Sequence, residues 1–127
     1  MLAVRYLSGM NPNFIYNKID KWTVIEFRTP NLMDSPSLET IQTDLVRLVD
    51  VENRANIILD FGMVQYVSSQ AVGIIIHLNK KLAGLPHSKL VLCSVPAKIM
   101  ELLKILRLDK LLKIVPTQKE AVALAAG

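Results

Sequence analysis

Several kinds of residue are scarce in this 127-residue chain, and each scarcity excludes a class of protein. Its single cysteine, Cys93, excludes an intrachain disulfide and a zinc cluster built from cysteines. Its five glycines form no Gly-rich phosphate loop of the P-loop or dinucleotide type. No apolar run reaches the ~18 residues of a membrane helix, and residues 1–9 lack the apolar core of a signal peptide. We therefore expect a cytoplasmic protein with no cofactor, no metal site and no membrane span.

The residues that are present indicate one folded domain. Hydrophobic residues make up 51% of the chain, which is enough for a proper core, and 127 residues is the length of a single domain. Asn11-Pro12-Asn13 is a cluster of breakers, and the segment before it has no clear period. We therefore expect a loose N-terminal segment over residues 1–13 and a domain over residues 14–127.

Charge is distributed unevenly between the two halves of the chain. Residues 1–60 contain 6 Lys and Arg against 8 Asp and Glu, or −2, whereas residues 61–127 contain 9 against 3, or +6. The basic half either binds an acidic partner or nucleic acid, or carries lysines that solvate its outer helix faces. We favour solvation and expect no direct DNA binding, because the chain has no dense basic run and little aromatic interleaving.

The order of the predicted elements indicates an α/β fold. Two β-rich runs, residues 14–19 and 22–27, flank a two-residue turn, and a helix follows in which Ser35 is the expected cap and Pro36 the first helical residue. Helical and strand patterns then alternate, as strand 57–60, helix 71–82, strand 89–94, a helix opened by Pro96, strand 111–115 and a final helix. In the third helix we expect Ile99, Leu102, Leu103 and Leu106 to face inward.

The final helix has a capping box, with Thr117 and Glu120 three residues apart. Strands that alternate with helices imply right-handed crossovers. We therefore predict a mixed, mostly parallel sheet of about four to five strands, covered by about four helices.

The most informative segment is a serine pair between a buried strand and an apolar helix. Residues 57–61 form the strand, a short loop follows, and Ser68 and Ser69 precede the helix. A hydroxyl at a helix start is accessible and lies at the positive end of the helix dipole, which suits a phosphate. The same hydroxyl is a good N-cap, and the two roles are compatible.

Residues 57–69 and the helix after them resemble the STAS domain, the fold of anti-sigma factor antagonists. Residues 89–92 resemble the next strand of that family, residues 95–99 its proline-opened third helix, and residues 106–114 its "leucine, aspartate, lysine, then strand" ending. The resemblance covers roughly residues 14–125. In the family the first serine of the loop is phosphorylated, which matches Ser68, with Ser69 as the alternative. Val67 replaces the family's acidic residue, and Gln70 replaces its small residue.

The resemblance implies a switch that is not an enzyme and has no catalytic residues. When unphosphorylated, such a protein docks on an anti-sigma factor that is also a serine kinase, and phosphorylation releases it. We expect a monomer or weak dimer. The expected partner-binding residues are Gln65, Tyr66, Val67, Ser68, Ser69, Gln70, Gly73 and His77. The alternative is a stand-alone STAS subunit of a membrane transport complex, which binds an ATPase or permease without phosphorylation.

A hydrolase that uses Ser68 or Ser69 is disfavoured by spacing. His77 is two helical turns past Ser69, some 12 Å away in rise at 1.5 Å per residue, which is too far for a hydrogen bond. Asp60 either contributes to a site at the carboxyl end of its strand or caps the following loop, and we favour the cap. For Cys93 we expect the role of a small buried hydrophobic residue.

Overall fold

The computed structural model describes residues 11–127, and its first two strands form an antiparallel hairpin. Strands β1 (Phe14–Ile19) and β2 (Trp22–Phe27) pair in full register, from Phe14 opposite Phe27 to Ile19 opposite Trp22. The two-residue turn contains no glycine, and Asp20 adopts the left-handed conformation there, with φ 54°. Aspartate tolerates this region better than most side chains do, so the predicted hairpin forms without the preferred residue.

Helices and strands alternate after the hairpin. Their bounds in chain order are β3 (Asn31–Leu32), α1 (Ser35–Asp50), β4 (Asn56–Asp60), β5 (Tyr66–Val67), α2 (Ser69–Ala83), β6 (Lys89–Cys93), α3 (Ala97–Ile105), β7 (Lys113–Val115) and α4 (Gln118–Ala123). Five strands form one sheet in the order β1-β2-β4-β6-β7, and every pairing except β1 with β2 is parallel. The predicted mixed, mostly parallel α/β fold is confirmed.

The sheet buries side chains on both faces. Alternate residues of its central strands, such as Ile57 and Leu59 of β4, join a large apolar cluster with α1, α2 and α3. The residues between them, such as Ile58, join a smaller cluster with Ala121 of α4. The indole N–H of Trp22 donates to the carbonyl of Leu124 at 3.2 Å and closes this second layer. Three helices therefore cover one face of the sheet, and α4 covers part of the other.

Two short strands were not predicted. β3 and β5 pair in parallel as a separate two-stranded sheet, with Asn31 opposite Tyr66 and Leu32 opposite Val67. Two residues are too few for an alternating pattern, so no periodic signal marks these strands in the sequence. Their pairing fixes the backbone directly before α2.

Several predicted boundaries were wrong by one or two residues. Asp34, not Ser35, caps α1, because its carboxylate accepts the backbone N–H of Ser37 at 3.1 Å. α2 begins at Ser69 rather than at residue 71, and β7 begins at Lys113 rather than at residue 111. Leu106, predicted to face inward, is exposed, because the chain leaves the helical path at Arg107, where φ is 60°.

The predicted loose segment lies mostly outside the described residues, since these begin at Asn11. Asn11 itself is buried, and its side-chain amide donates to a carboxylate oxygen of Asp44 at 2.8 Å. The side-chain Oδ1 of Asn11 accepts the backbone N–H of Asn13 at 2.8 Å. The chain is therefore anchored to α1 three residues before β1, and the looseness of residues 1–10 stays a prediction.

Candidate functional site

Ser68 is placed by the small sheet on one side and by α2 on the other. Its backbone N–H donates to the carbonyl of Leu32 at 2.9 Å, which continues the pairing of β5 with β3. Its backbone is extended, with φ −94° and ψ 169°, and its Oγ accepts the backbone N–H of Ala71 at 3.2 Å. Ser68 is therefore the N-cap of α2, as one of the two interpretations of the serine pair predicted.

The surroundings of Ser68 suit an added negative charge. Its side chain is half-buried and Ser69 is exposed, so both hydroxyls border solvent. The first turn of α2 contains no acidic residue, and the unpaired N–H groups of a helix start attract anions. A phosphate on Ser68 would lie at this positive end.

The predicted partner-binding residues form one continuous surface, which we call the Ser68 surface. Five of the eight flank Ser68 in the loop and the first turn, and Gly73 and His77 follow on α2. Gln70, Gly73 and His77 are three and four residues apart, so they share one face of the helix, and all three are exposed. The remaining exposed members are Gln65, Tyr66 and Ser69, while Val67 and Ser68 are half-buried.

Gly73 leaves this helix face open. A Cβ built at that position has no atom within 4 Å apart from those of the helix backbone and chain neighbours. Packing inside the protein therefore does not require glycine there. An approaching partner would meet bare backbone at this point.

Other residues at the same edge were missed by the sequence analysis. Met33 follows the residue paired with Val67, and Met63 lies in the loop after β4; both are exposed. An open groove of about 800 Å³ lies between this loop and the start of α3, lined by Gly62, Met63, Val64, Gln65, Tyr66, Pro96, Ala97 and Lys98. Neither methionine belongs to a helix or a long strand, so no periodic pattern marked them.

Asp60 organises the loop that leads to the Ser68 surface. One carboxylate oxygen accepts the backbone N–H of Gly62 at 2.8 Å, so the predicted loop-capping role is confirmed. The other accepts the side-chain amide of Gln118 at 2.8 Å, and the same amide nitrogen donates to Glu26 at 2.9 Å. Glu26 and Asp60 are register partners on β2 and β4, so one glutamine bridges two adjacent carboxylates. Nothing in the sequence brought these three residues together.

In the described part of the chain, the side chains that a hydrolase would need are not assembled around the serines. His77 lies on α2 eight residues after Ser69, and within residues 11–127 neither His77 nor His87 hydrogen-bonds to either serine. Burial raises the pKa of the Cys93 thiol to about 12, and the negative charge of Asp60 adds to the shift. The thiol is therefore protonated at neutral pH and is a poor nucleophile. Among the described residues, no three His, Cys, Asp or Glu side chains are grouped to hold a metal.

A comparison with protein-family models identifies the family to which this fold belongs. The STAS domain family model matches residues 14–121. The chain belongs to the STAS domain family. No curated protein sequence matches this STAS domain significantly. Within the described part of the chain, no helix has the length and apolar character needed to cross a membrane.

Solved structures with the same fold include several anti-sigma factor antagonists. An anti-sigma factor antagonist domain from Planctomyces limnophilus is 18% identical over 86% of this chain and 93% of its own, with TM-score 0.76. An antagonist from Mycobacterium paratuberculosis is 15% identical over 86% and 89%, with TM-score 0.75. The Bacillus cell fate determinant SpoIIAA, in its phosphorylated form, is 17% identical over 86% and 96%, with TM-score 0.68. At these identities the likeness shows the fold.

Proposed function

We propose that this STAS domain is an anti-sigma factor antagonist, a protein-binding switch controlled by phosphorylation of Ser68. In the unphosphorylated state its Ser68 surface docks on an anti-sigma factor that is also a serine kinase. The kinase transfers a phosphoryl group from ATP to the Ser68 hydroxyl, and the phosphorylated domain dissociates. The domain itself needs no cofactor and catalyses no reaction, and it acts in the cytoplasm.

The observation that carries the proposal is the position of Ser68. It is a half-buried N-cap whose hydroxyl borders solvent, at the carboxyl edge of the parallel strands, within an exposed loop and helix face. Sites in open α/β sheets gather at this edge. Support also comes from a relative of the same fold, SpoIIAA, which has been solved in both unphosphorylated and phosphorylated forms.

Electrostatics explains how one phosphate switches binding without unfolding the domain. A phosphoserine carries about −1.5 to −2 charges at neutral pH. On the free domain this charge lies beside the first N–H groups of α2, which accommodate it. In a complex the same charge must lose its water or face acids on the partner, so docking weakens while the fold stays intact.

The phosphorylation site is tested with the cognate kinase and ATP, followed by mass spectrometry of the wild type, Ser68→Ala and Ser69→Ala. We expect one phosphoryl group on the wild type and on Ser69→Ala, and none on Ser68→Ala. Modification at Ser69 alone, or at neither serine, would reject Ser68 as the acceptor. A pull-down that returns a transporter ATPase or permease instead of a kinase would support the transport-complex alternative.

The docking surface is tested by calorimetry with the same partner. Ser68→Asp adds one negative charge and keeps a good N-cap, so stability should be unchanged while affinity falls. Lys119→Gln is the matched control, since it changes the net charge by the same amount on α4, which lies over the other sheet face. Unchanged affinity of Ser68→Asp with intact stability would place the interface elsewhere.

A further inference from the structure

A second exposed surface lies at the end of the domain opposite Ser68. α3 starts after the carboxyl end of β6 and runs back toward the amino-terminal edge of the sheet. The chain then enters β7, which pairs in parallel with β6, with Lys113 opposite Val91. Residues 104–113 therefore lie at the amino-terminal edge of the strands, whereas Ser68 follows their carboxyl edge. We call residues 104–113 the α3–β7 corner.

Several large apolar side chains of the α3–β7 corner are exposed to solvent. Ile105 is 77% exposed, Leu111 is 53% exposed, and Leu106 is also exposed. The residues beside them, Leu108 and Leu112, pack against the core and anchor the corner from inside. The corner is thus a folded part of the domain whose outward side chains are not covered by any apolar neighbour among residues 11–127.

The backbone of the corner is fixed by a Schellman motif. The N–H of Arg107 donates to the carbonyl of Lys104 at 3.0 Å, and the N–H of Leu108 donates to that of Leu103 at 2.8 Å. Arg107 has φ 60°, the left-handed conformation that this motif requires. Further bonds from the N–H groups of Leu111 and Leu112 to the carbonyl of Leu108 continue the turn. The apolar side chains are therefore held outward before any partner arrives.

Unpaired cations surround these apolar side chains. All four basic residues of the corner are exposed, and none forms an ion pair within the described residues: Lys104, Arg107, Lys110 and Lys113. Asp109 is the one acid between them and is half-buried. Other exposed apolar residues emerge at the same edge: Ile19 lies between Lys18 and Asp20, and Val51 lies between two acids. The α3–β7 corner thus combines three exposed apolar residues with four cations and one acid.

We propose that the α3–β7 corner docks the domain on an anionic lipid surface. Apolar side chains that protrude from a rigid turn fit a yielding lipid interface better than a shaped protein groove, and the cations complement acidic headgroups. The contact is peripheral and reversible, since only three large apolar side chains insert. A domain bound in this way would present Ser68 away from the membrane, so lipid docking and phosphorylation are compatible.

The test is sedimentation of the full chain with lipid vesicles. We expect binding to phosphatidylcholine vesicles that contain about one third phosphatidylglycerol, little binding to phosphatidylcholine alone, and release in ~1 M NaCl, where screening is strong. Lys104→Glu/Arg107→Glu should lower the partition coefficient by roughly tenfold or more. Ile105→Ser/Leu106→Ser, which keeps the charge, should lower it to a similar degree because the inserted apolar area is lost.

The matched control is Arg28→Glu/Lys119→Glu, which makes the same change in charge at exposed positions beyond the carboxyl ends of β2 and β7. It should leave vesicle binding within about twofold of the wild type. Circular dichroism of each variant verifies folding. No binding to anionic vesicles, or an equal loss in the control, would overturn the proposal. Binding to an acidic, aromatic-containing peptide without binding to vesicles would also overturn it and identify a protein partner instead.

Discussion

The side-chain amide of Gln118 donates to Asp60 at 2.8 Å, although 58 residues separate them along the chain. The same amide nitrogen also donates to Glu26, the register partner of Asp60 on the neighbouring strand. Asp60 in turn holds the loop after β4 through the N–H of Gly62. The start of α4 is thereby linked to the loop that leads to Ser68.

Removing this bridge should destabilise the domain. Gln118→Ala leaves two adjacent carboxylates without their shared donor, and we expect a loss of about 1–2 kcal/mol, since bonds to charged groups are strong but these are part-exposed. Gln118→Glu should cost more, because it places a third negative charge beside the pair. Lys119→Ala, an exposed neighbour on α4, is the control and should change stability by less than about 0.5 kcal/mol. Urea unfolding measures all three.

The capping role of Ser68 is separable from its proposed phosphorylation. Ser68→Ala removes the acceptor of the Ala71 N–H and should lower the free energy of unfolding by about 1 kcal/mol. Ser68→Asp should restore it, because aspartate is an equally good N-cap. Denaturant unfolding of the wild type, Ser68→Ala and Ser68→Asp measures these differences in the free energy of unfolding. Equal stability of Ser68→Ala and the wild type would show that the observed hydrogen bond contributes nothing.

Gly73→Ala should raise the stability of the domain and lower its affinity for the partner. Alanine at this helical position meets no atom within 4 Å, so Gly73→Ala should stabilise the domain by about 0.5–1 kcal/mol. If the Ser68 surface docks as proposed, the added methyl group should weaken binding by about 1–3 kcal/mol, the usual effect of an overpacked contact.

Gly84→Ala is the matched control for Gly73→Ala. It lies at the other end of α2, where φ is −82° and a Cβ would make ordinary contacts. Its affinity should equal that of the wild type, as measured by calorimetry. A gain in stability at Gly73 with unchanged affinity would exclude this helix face from the interface.

Cys93 should be inert in the folded protein. Its thiol is buried and has a pKa of about 12, so Ellman's reagent at pH 8 should react only after denaturant is added. The pKa of this thiol in the folded protein lies above the ordinary thiol value of 9.0, so the folded state holds the proton more tightly. This contribution to stability is complete below pH ~9 and is lost as the pH rises toward 12. Cys93→Ala should show a smaller loss of stability over that range.

The sequence alone determined the fold class and the place of the serine pair. Apolar periodicity located β4, β6, α1 and α2, because buried strands and helices of five or more residues repeat their side-chain pattern several times. The Ser68 cap was predictable because it is local: the side chain and the N–H that it accepts are three residues apart. The family resemblance rested on these same segments.

Only the tertiary structure decided which distant residues meet. The β3–β5 pair, the bridge from Gln118 to Glu26 and Asp60, and the exposed Met33 and Met63 have no periodic signal, since each depends on strand register or on where a loop lies. Leu106 is the clearest case in which the periodic pattern of the sequence predicts the wrong environment for a side chain. Helical spacing places it inward, but the left-handed turn at Arg107 ends the helix and leaves it in solvent. A local pattern predicts a side chain's face only while the backbone repeats.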